Sequence, residues 1–278
     1  MRKLLITLVC LASLSTAAFA QSDHNDAGPI AVGYSVVTVT GGVSPLGVTG
    51  GLVVFQTFGH RAEVPAVQAG VLPATMTTRM VLFATTGDRL ARNVGIAMTN
   101  PGNQAAVVTL TLRTTSGSVV SSKAVNIAAR QQISRFVREY FSDSPDLFRD
   151  VFEGSVTVTS NTPVGVMGLR FLGANFSTIP LTSVSAPVAV PEVAPGVGGA
   201  NALLMPQFAA EGRWSTETIV INHGGSPLTV RIDLFKQDGT PLVAKLNRQI
   251  GSSFQNLVIP AGGVITYAPR DANGDSDF

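Results

Sequence analysis

The chain has 278 residues, of which 13% are charged and 45% hydrophobic, with nineteen Lys and Arg against seventeen Asp and Glu. That balance excludes a strongly basic face for nucleic acid. A single cysteine excludes a disulfide framework.

The N-terminus reads as a secretory leader. Arg2 and Lys3 precede an apolar run over residues 4–14, too short to span a bilayer as a helix. Ala18-Phe19-Ala20 fits the small-x-small cleavage pattern, so residues 1–20 are expected to be removed and Gln21 to become the first residue. Cys10 lies within the apolar run and is preceded by Val9, where a lipid-attachment site needs a small residue. Two of the nineteen basic residues leave with the leader, and the remainder carries seventeen charges of each sign. The expected location is the periplasm, the cell envelope or the medium. No later stretch is apolar for the roughly 18 residues that a membrane helix needs.

Residues 21–75 read as a partial β unit. A polar segment, 21–29, leads into an alternating run at 30–40 and a second strand at 51–58. GLVVFQTFGHRAEVP at 51–65 echoes GVMGLRFLGANFSTIP at 165–180: a strand ends at a glycine, polar residues follow, and a proline closes the unit. The N-terminal piece therefore looks like the closing part of a repeat that lacks its front half.

Residues 76–184 read as a first complete repeat. Strands are expected at 80–86, 94–99, 106–114 and 119–127, with a turn at Asn100-Pro101-Gly102-Asn103. Within 106–114, Val108, Leu110 and Leu112 alternate with Val107, Thr109, Thr111 and Arg113, which marks one apolar face. Residues 131–141 place Ile133, Phe136, Val137, Tyr140 and Phe141 at helical spacing, and Ser144-Pro145-Asp146 has the composition of a helix start. A helical insert over 131–152 is the expectation, as a cap on one end of the unit. Two further strands, 154–160 and 164–172, are expected on either side of a turn at Asn161-Thr162-Pro163.

Prolines at 187, 191 and 195 make 185–201 an extended linker. Residues 202–270 then repeat the first unit. TIVINHGGSPLTVRIDLF at 218–235 matches the plan of NVGIAMTNPGNQAAVVTLTLR at 93–113, with Asn222 and Gly239 each 122 residues after Asn100 and Gly117. The expectation is that this copy lacks the helical insert.

The acidic tail, 271–278, spaces Asp271, Asn273, Asp275 and Asp277 at alternate positions, like the start of a calcium loop. Position six is Ser276 in place of glycine, and no Glu follows at position twelve. Calcium is the one cofactor this pattern allows. Trp214, the lone tryptophan, is the candidate for stacking on a sugar ring, with Tyr34 and Tyr267 as further aromatics. His24, His60 and His223 show no zinc spacing, and no G-x-S-x-G elbow, Walker A or G-x-G-x-x-G pattern occurs. Asp88 and Glu153 are the default carboxylates for sugar hydrolysis, but nothing in the sequence brings them together.

The strings GIAMTNPGNQAAVVTLTLR, QQISRFVREYF, FEGSVTVTSNTPVGVMGLRFLGANFSTIPL and FAAEGRWSTETIVINHGGSPLTVRIDLFKQDGTPL resemble repeat modules of secreted and surface proteins of environmental bacteria, acidobacteria in particular. The resemblance covers about residues 33–267. It implies immunoglobulin-like or fibronectin-like sandwiches and no catalytic residues. The combined reading is an all-β chain of tandem immunoglobulin-like β-sandwiches, the first with a short helical insert. It is expected to be a non-catalytic structural or adhesive protein, with an extracellular polymer or surface protein as partner. A carbohydrate-binding module is the alternative, and a secreted hydrolase with a dispersed site ranks third.

Overall fold

The structure, a computed structural model, describes residues 34–36, 56–60, 67–179, 190–199, 201–205, 207–210 and 216–276. The leader, most of the strands expected at 30–40 and 51–58, Trp214 and Asp277 lie outside the described residues. Tyr34, Ser35 and Val36 belong to a separate N-terminal unit, Met1–Val36, and are exposed coil.

The fold is nearly all β. β1 (Gln56–His60) and β2 (Val67–Val71) form an antiparallel hairpin. β3 (Thr77–Thr86), β4 (Arg92–Asn100), β5 (Ala106–Thr114), β6 (Val119–Ile127), β7 (Gln131–Phe136), β8 (Phe152–Leu172) and β9 (Asn175–Ile179) make one curled seven-stranded sheet. β8 holds it together. Its first half pairs with β3 and β5, and its second half with β4 and β9.

The turn expected at Asn161-Thr162-Pro163 is a bend inside β8. Proline cannot donate to a ladder, and residues 161–163 lie between the β5 pairing, which ends at Ser160, and the β4 pairing, which starts at Gly165. At that gap the strand passes from one set of partners to the other. The Asn161 side chain bridges it by accepting from the Val107 N–H at 2.8 Å.

The alternation in β5 has the expected result. Val108, Leu110 and Leu112 are fully buried, against Val94, Ile96 and Met98 of β4 and Val156 and Val158 of β8. Each such side chain contributes about 1.5–3 kcal/mol by leaving water.

The expected helix is much shorter. Gln131–Phe136 pairs with β4 over its whole length, and helix α1 covers Val137–Tyr140 alone, followed by a 3₁₀ turn at Pro145–Phe148. The pairing edge of β4 overrides the helical spacing of Ile133 and Phe136. α1 starts where Glu139 turns back to accept from the Phe136 N–H at 2.7 Å. Val137, Tyr140, Phe141, Phe148 and Phe152 then close the end of the core, as a cap would.

Part of the expected linker is also folded: β10 (Val190–Ala194) and β11 (Val197–Gly199) form a hairpin whose turn and second strand hold Gly196, Gly198 and Gly199 at positive φ. The second copy comprises β12 (Thr218–Ile221), β13 (Leu228–Asp233), β14 (Ala244–Leu246), β15 (Gln249–Gly251), β16 (Ser253–Ile259) and β17 (Val264–Tyr267). They pair as three hairpin-like ladders, β12 with β17, β13 with β16 and β14 with β15.

The two copies share register. Ala106 faces Ile127 in the first, and Leu228 faces Ile259 in the second. The offset is 122 for the first member and 132 for the second, so ten extra residues lie between them; the β14–β15 hairpin occupies that place. β17 is thus the counterpart of β7, and the strand over 131–136 is common to both copies. The copies differ after it: the second has no α1, and among the described residues it has no counterpart of β8.

Candidate functional site

Two features stand out from the general fold: a buried asparagine in each copy, and a cluster of arginines where the C-terminal turn meets the first sheet.

Asn100 ends β4 and is 1% exposed; Asn222, just after β12, is also 1% exposed. The Asn100 amide nitrogen donates to the carbonyls of Gln104 (2.7 Å), Ile127 (3.0 Å) and Ala128 (3.2 Å), and its Oδ1 accepts from the Gly102 N–H at 3.0 Å. The Asn222 amide nitrogen donates to Ser226 (2.8 Å), Ile259 (3.1 Å) and Pro260 (3.0 Å), and its Oδ1 accepts from Gly224 at 2.9 Å. One side chain therefore ties its own turn to the connection that follows β6 in the first copy and β16 in the second. A buried amide with every polar atom engaged fixes geometry and offers nothing to a ligand. These turns are structural clamps.

The arginine cluster is built from distant residues. Arg92, at the start of β4, is 4% exposed; its Nη2 donates to the Ser276 carbonyl at 2.7 Å and to Ser276 Oγ at 3.2 Å, and its Nη1 lies 3.5 Å from Glu153. Arg92 Nε has no partner. Burial lowers the pKa of this guanidinium, and neighbouring Arg170 lowers it further. Arg170 pairs with the buried carboxylate of Glu217 at 3.1 Å and lies over the Phe83 ring. Ser276 Oγ completes the circuit by donating to Glu217 at 3.3 Å.

Arg89 grips Asp275 from outside, with Nη2 to Oδ1 at 2.9 Å, and also contacts Asp150. The hydrogen bond from Arg89 holds the Asp275 carboxyl below its ordinary range. Chemically the cluster is a clasp for residues 270–276, with its charges paired among themselves.

The tail pattern proposed for calcium is used in that clasp. Asp271 Oδ1 accepts from the Asn273 N–H (2.9 Å) and the Asp275 N–H (2.8 Å), and Gly274 sits at φ +87° to close the turn. Arg248 Nη2 donates to the carbonyls of Asp271 and Ala272, Arg270 Nη1 to that of Gly274. Backbone N–H groups thus engage the Asp271 carboxylate, and Arg89 engages that of Asp275. Among the described residues no group of three or more His, Cys, Asp or Glu could hold a metal ion.

Tyr267 is buried, its ring 5.4 Å from that of Phe254, while Tyr34 is 43% exposed. His60 ends β1. His223 is exposed in its turn and contributes its backbone carbonyl, which accepts from Arg79 Nη2 at 3.2 Å. Asp88 pairs with Arg138 at 2.7 Å and Glu153 with Arg92, so each default carboxylate faces a guanidinium. Sequence reading missed Arg89, Arg92, Arg170 and Glu217. Arg92 and Ser276 are 184 residues apart, and no local pattern announces such a pair.

No known protein family matches the chain. No curated protein matches it either. Among solved structures it is similar to the Anabaena sensory rhodopsin transducer, at 15% identity over 34% of this chain and 97% of that one, with a TM-score of 0.29. A likeness of that size decides neither fold nor function. No helix among the described residues is long and apolar enough to cross a membrane.

Proposed function

We propose that the chain is an exported structural or adhesive protein whose building block is an immunoglobulin-like β-sandwich used in tandem. The observation that carries this reading is the recurrence of one clamp, Asn100 and Asn222, in two copies with the same ladder register. Selection on a catalytic site fixes a few side chains at one place. Here the shared features are backbone ties and register, as expected when the repeat itself is the functional element. The polar atoms of the clamps are turned inward onto the protein, and the charges of the clasp are paired with one another. The leader at residues 1–20 and the lack of cysteine beyond it fit export of a unit held by apolar burial.

The test is to display the full chain on a non-adherent bacterial cell and to measure attachment to polysaccharide-coated and protein-coated surfaces. Attachment above that of the undecorated cell is the expected result. Turnover of a polymer that a single Asp or Glu substitution abolishes would contradict the reading.

A further inference from the structure

The turn held by the clasp contains the one Asn-Gly pair in the chain, Asn273-Gly274. The side-chain carbonyl of an asparagine is one ring closure away from the backbone nitrogen of the next residue, whose attack gives a five-membered succinimide. Two things ordinarily prevent it: a following side chain that shields the nitrogen, and hydrogen bonds that pin the carboxamide. Neither operates at Asn273. Gly274 has no side chain and sits exposed at φ +87°. Asn273 is exposed, and among the described residues its carboxamide makes no hydrogen bond; the turn uses its backbone N–H, which donates to Asp271 Oδ1 at 2.9 Å. The Gly274 N–H is held by one long bond, to the Asp271 carbonyl at 3.2 Å. The Arg248 guanidinium stands beside it, since a Cβ on Gly274 would lie 3.7 Å from Nη2. A cation there favours loss of the proton, which makes the nitrogen a nucleophile.

Comparable positions elsewhere are closed to this reaction. Asn100 is followed by Pro101, whose nitrogen carries no proton, and its carboxamide is fully engaged. Asn222 is engaged in the same way. Asn247 donates to the Thr266 carbonyl and accepts from the Ala268 N–H and from Arg270 Nε. Asp238-Gly239 could close the same ring, but Thr240 donates twice to Asp238 Oδ1 and holds that carboxyl below its ordinary range. A carboxylate anion is a poor electrophile.

We infer that Asn273-Gly274 is a site of spontaneous deamidation, and that the isoaspartate it produces opens the clasp. The Gly274 nitrogen bonds to Asn273 Cγ and gives up its proton; the bond from Cγ to the side-chain nitrogen breaks, and that nitrogen leaves as ammonia. Water then opens the succinimide. Cleavage at Cγ leaves aspartate, whereas cleavage at the backbone carbonyl leaves isoaspartate, in which the main chain runs through the side chain and is longer by one methylene. Amide and water become acid and ammonia, with no change of oxidation state. The added methylene falls inside the ties that set the turn: Asp271 Oδ1 to the Asp275 N–H at 2.8 Å, and the Asp271 N–H to the Asp275 carbonyl at 2.9 Å. It also shifts Asp275 from Arg89 and the Ser276 carbonyl from Arg92. Arg92 is buried and its Nε already lacks a partner, so without Ser276 its charge is left to Glu153 at 3.5 Å. A buried charge that loses a partner is costly, so a change in an exposed turn reaches the contact between the two copies. The inference rests on the clasp and is independent of the proposed function.

The experiment ages the folded full chain in mildly alkaline buffer, with mildly acidic buffer as the slow reference. Trypsin cuts after Arg270 and isolates residues 271–278, in which Asn273 is the only asparagine. The mass gain of one deamidation should accumulate in this peptide first, with an equal amount of ammonia released, and fragmentation should show isoaspartate in excess of aspartate. In the aged chain the amides of Asp271 and Asp275 should exchange faster, and the melting temperature should fall. Asn273→Gln keeps the backbone N–H that the turn uses, and its longer side chain closes a ring far more slowly. It should gain no mass and hold both properties through the same incubation. Fresh Asn273→Asp supplies the charge without the methylene and should keep the Asp271 and Asp275 amides protected. Deamidation no faster here than at the other asparagines would overturn the site. Isoaspartate that leaves those amides protected, or a fresh Asn273→Asp chain as open as the aged one, would overturn the release.

Discussion

Asn100 shows how one side chain can set the geometry of a unit. Its amide nitrogen serves three carbonyls from two separate connections, and its oxygen serves one N–H. Asn100→Ala leaves these groups buried and unpaired, and thermal or urea unfolding should register a loss of about 3 kcal/mol. Asn100→Asp should be worse at neutral pH than Asn100→Ala, because it turns a buried anion toward three carbonyl oxygens, and it should recover part of the loss in acid. If the two substitutions cost the same at neutral pH, the amide is not the clamp described. Gly117 shows a different constraint. It sits at φ +87°, and a Cβ there would lie 2.0 Å from the Ala261 carbonyl, so both conformation and contact demand glycine; Gly239, its counterpart, needs it for conformation alone. The repeat of Asn and Gly at one spacing was legible in the sequence. Which atoms the Asn side chains reach was not, because Ile127 and Ile259 are strand partners brought in by the fold.

At the scale of elements, β5 and β13 are the same strand in two states of cover. Leu110→Ala removes a fully buried side chain from the core that β4 and β8 also line, and should cost about 2–5 kcal/mol. Ile232→Ala removes its counterpart from a half-exposed face and should cost well under half as much, as read by denaturant midpoints. Equal costs would mean that β13 is covered after all. The alternation that predicted β5 also predicted its inward face correctly, since a period of two depends on the strand alone. The helix expected over 131–141 failed for the opposite reason. Ile133 and Phe136 fit a helical stripe, but the free edge of β4 recruited Gln131–Phe136 into the sheet. The second copy held the clue, because Val264–Tyr267 occupies the same place and has no helical spacing. The bend at Pro163 was read as a turn because a strand that changes partners in mid-course leaves the same local signature as one that ends.

For the whole molecule, the clasp on residues 270–276 ties the second copy to the first. The same contact surface includes the Val264 N–H, which donates to the Thr115 carbonyl at 2.9 Å. Asp275 is held below its ordinary pKa by the hydrogen bond from Arg89. A carboxylate depressed on folding stabilises the folded state above its unfolded pKa, and that contribution is lost as pH falls through the folded value. The melting temperature of the unsubstituted chain should therefore exceed that of Asp275→Asn by a constant margin above the ordinary carboxyl range, and the margin should shrink as pH falls through the depressed folded value. A margin that persists in acid would show that the turn is held by the backbone contacts of Arg248 and Arg270 instead. The sequence could not disclose the clasp: its members come from β4, β8, the start of β12 and the tail, and each alone reads as an ordinary surface charge.

Amide hydrogen exchange of the full chain, followed residue by residue, tests the unequal cover of the two copies most directly. The amides of β4 and β5, whose inward faces are fully buried, should exchange slowly, while those of the half-exposed β12 and β13 should exchange faster. Amides of β12 and β13 as slow as those of β4 and β5 would contradict the account.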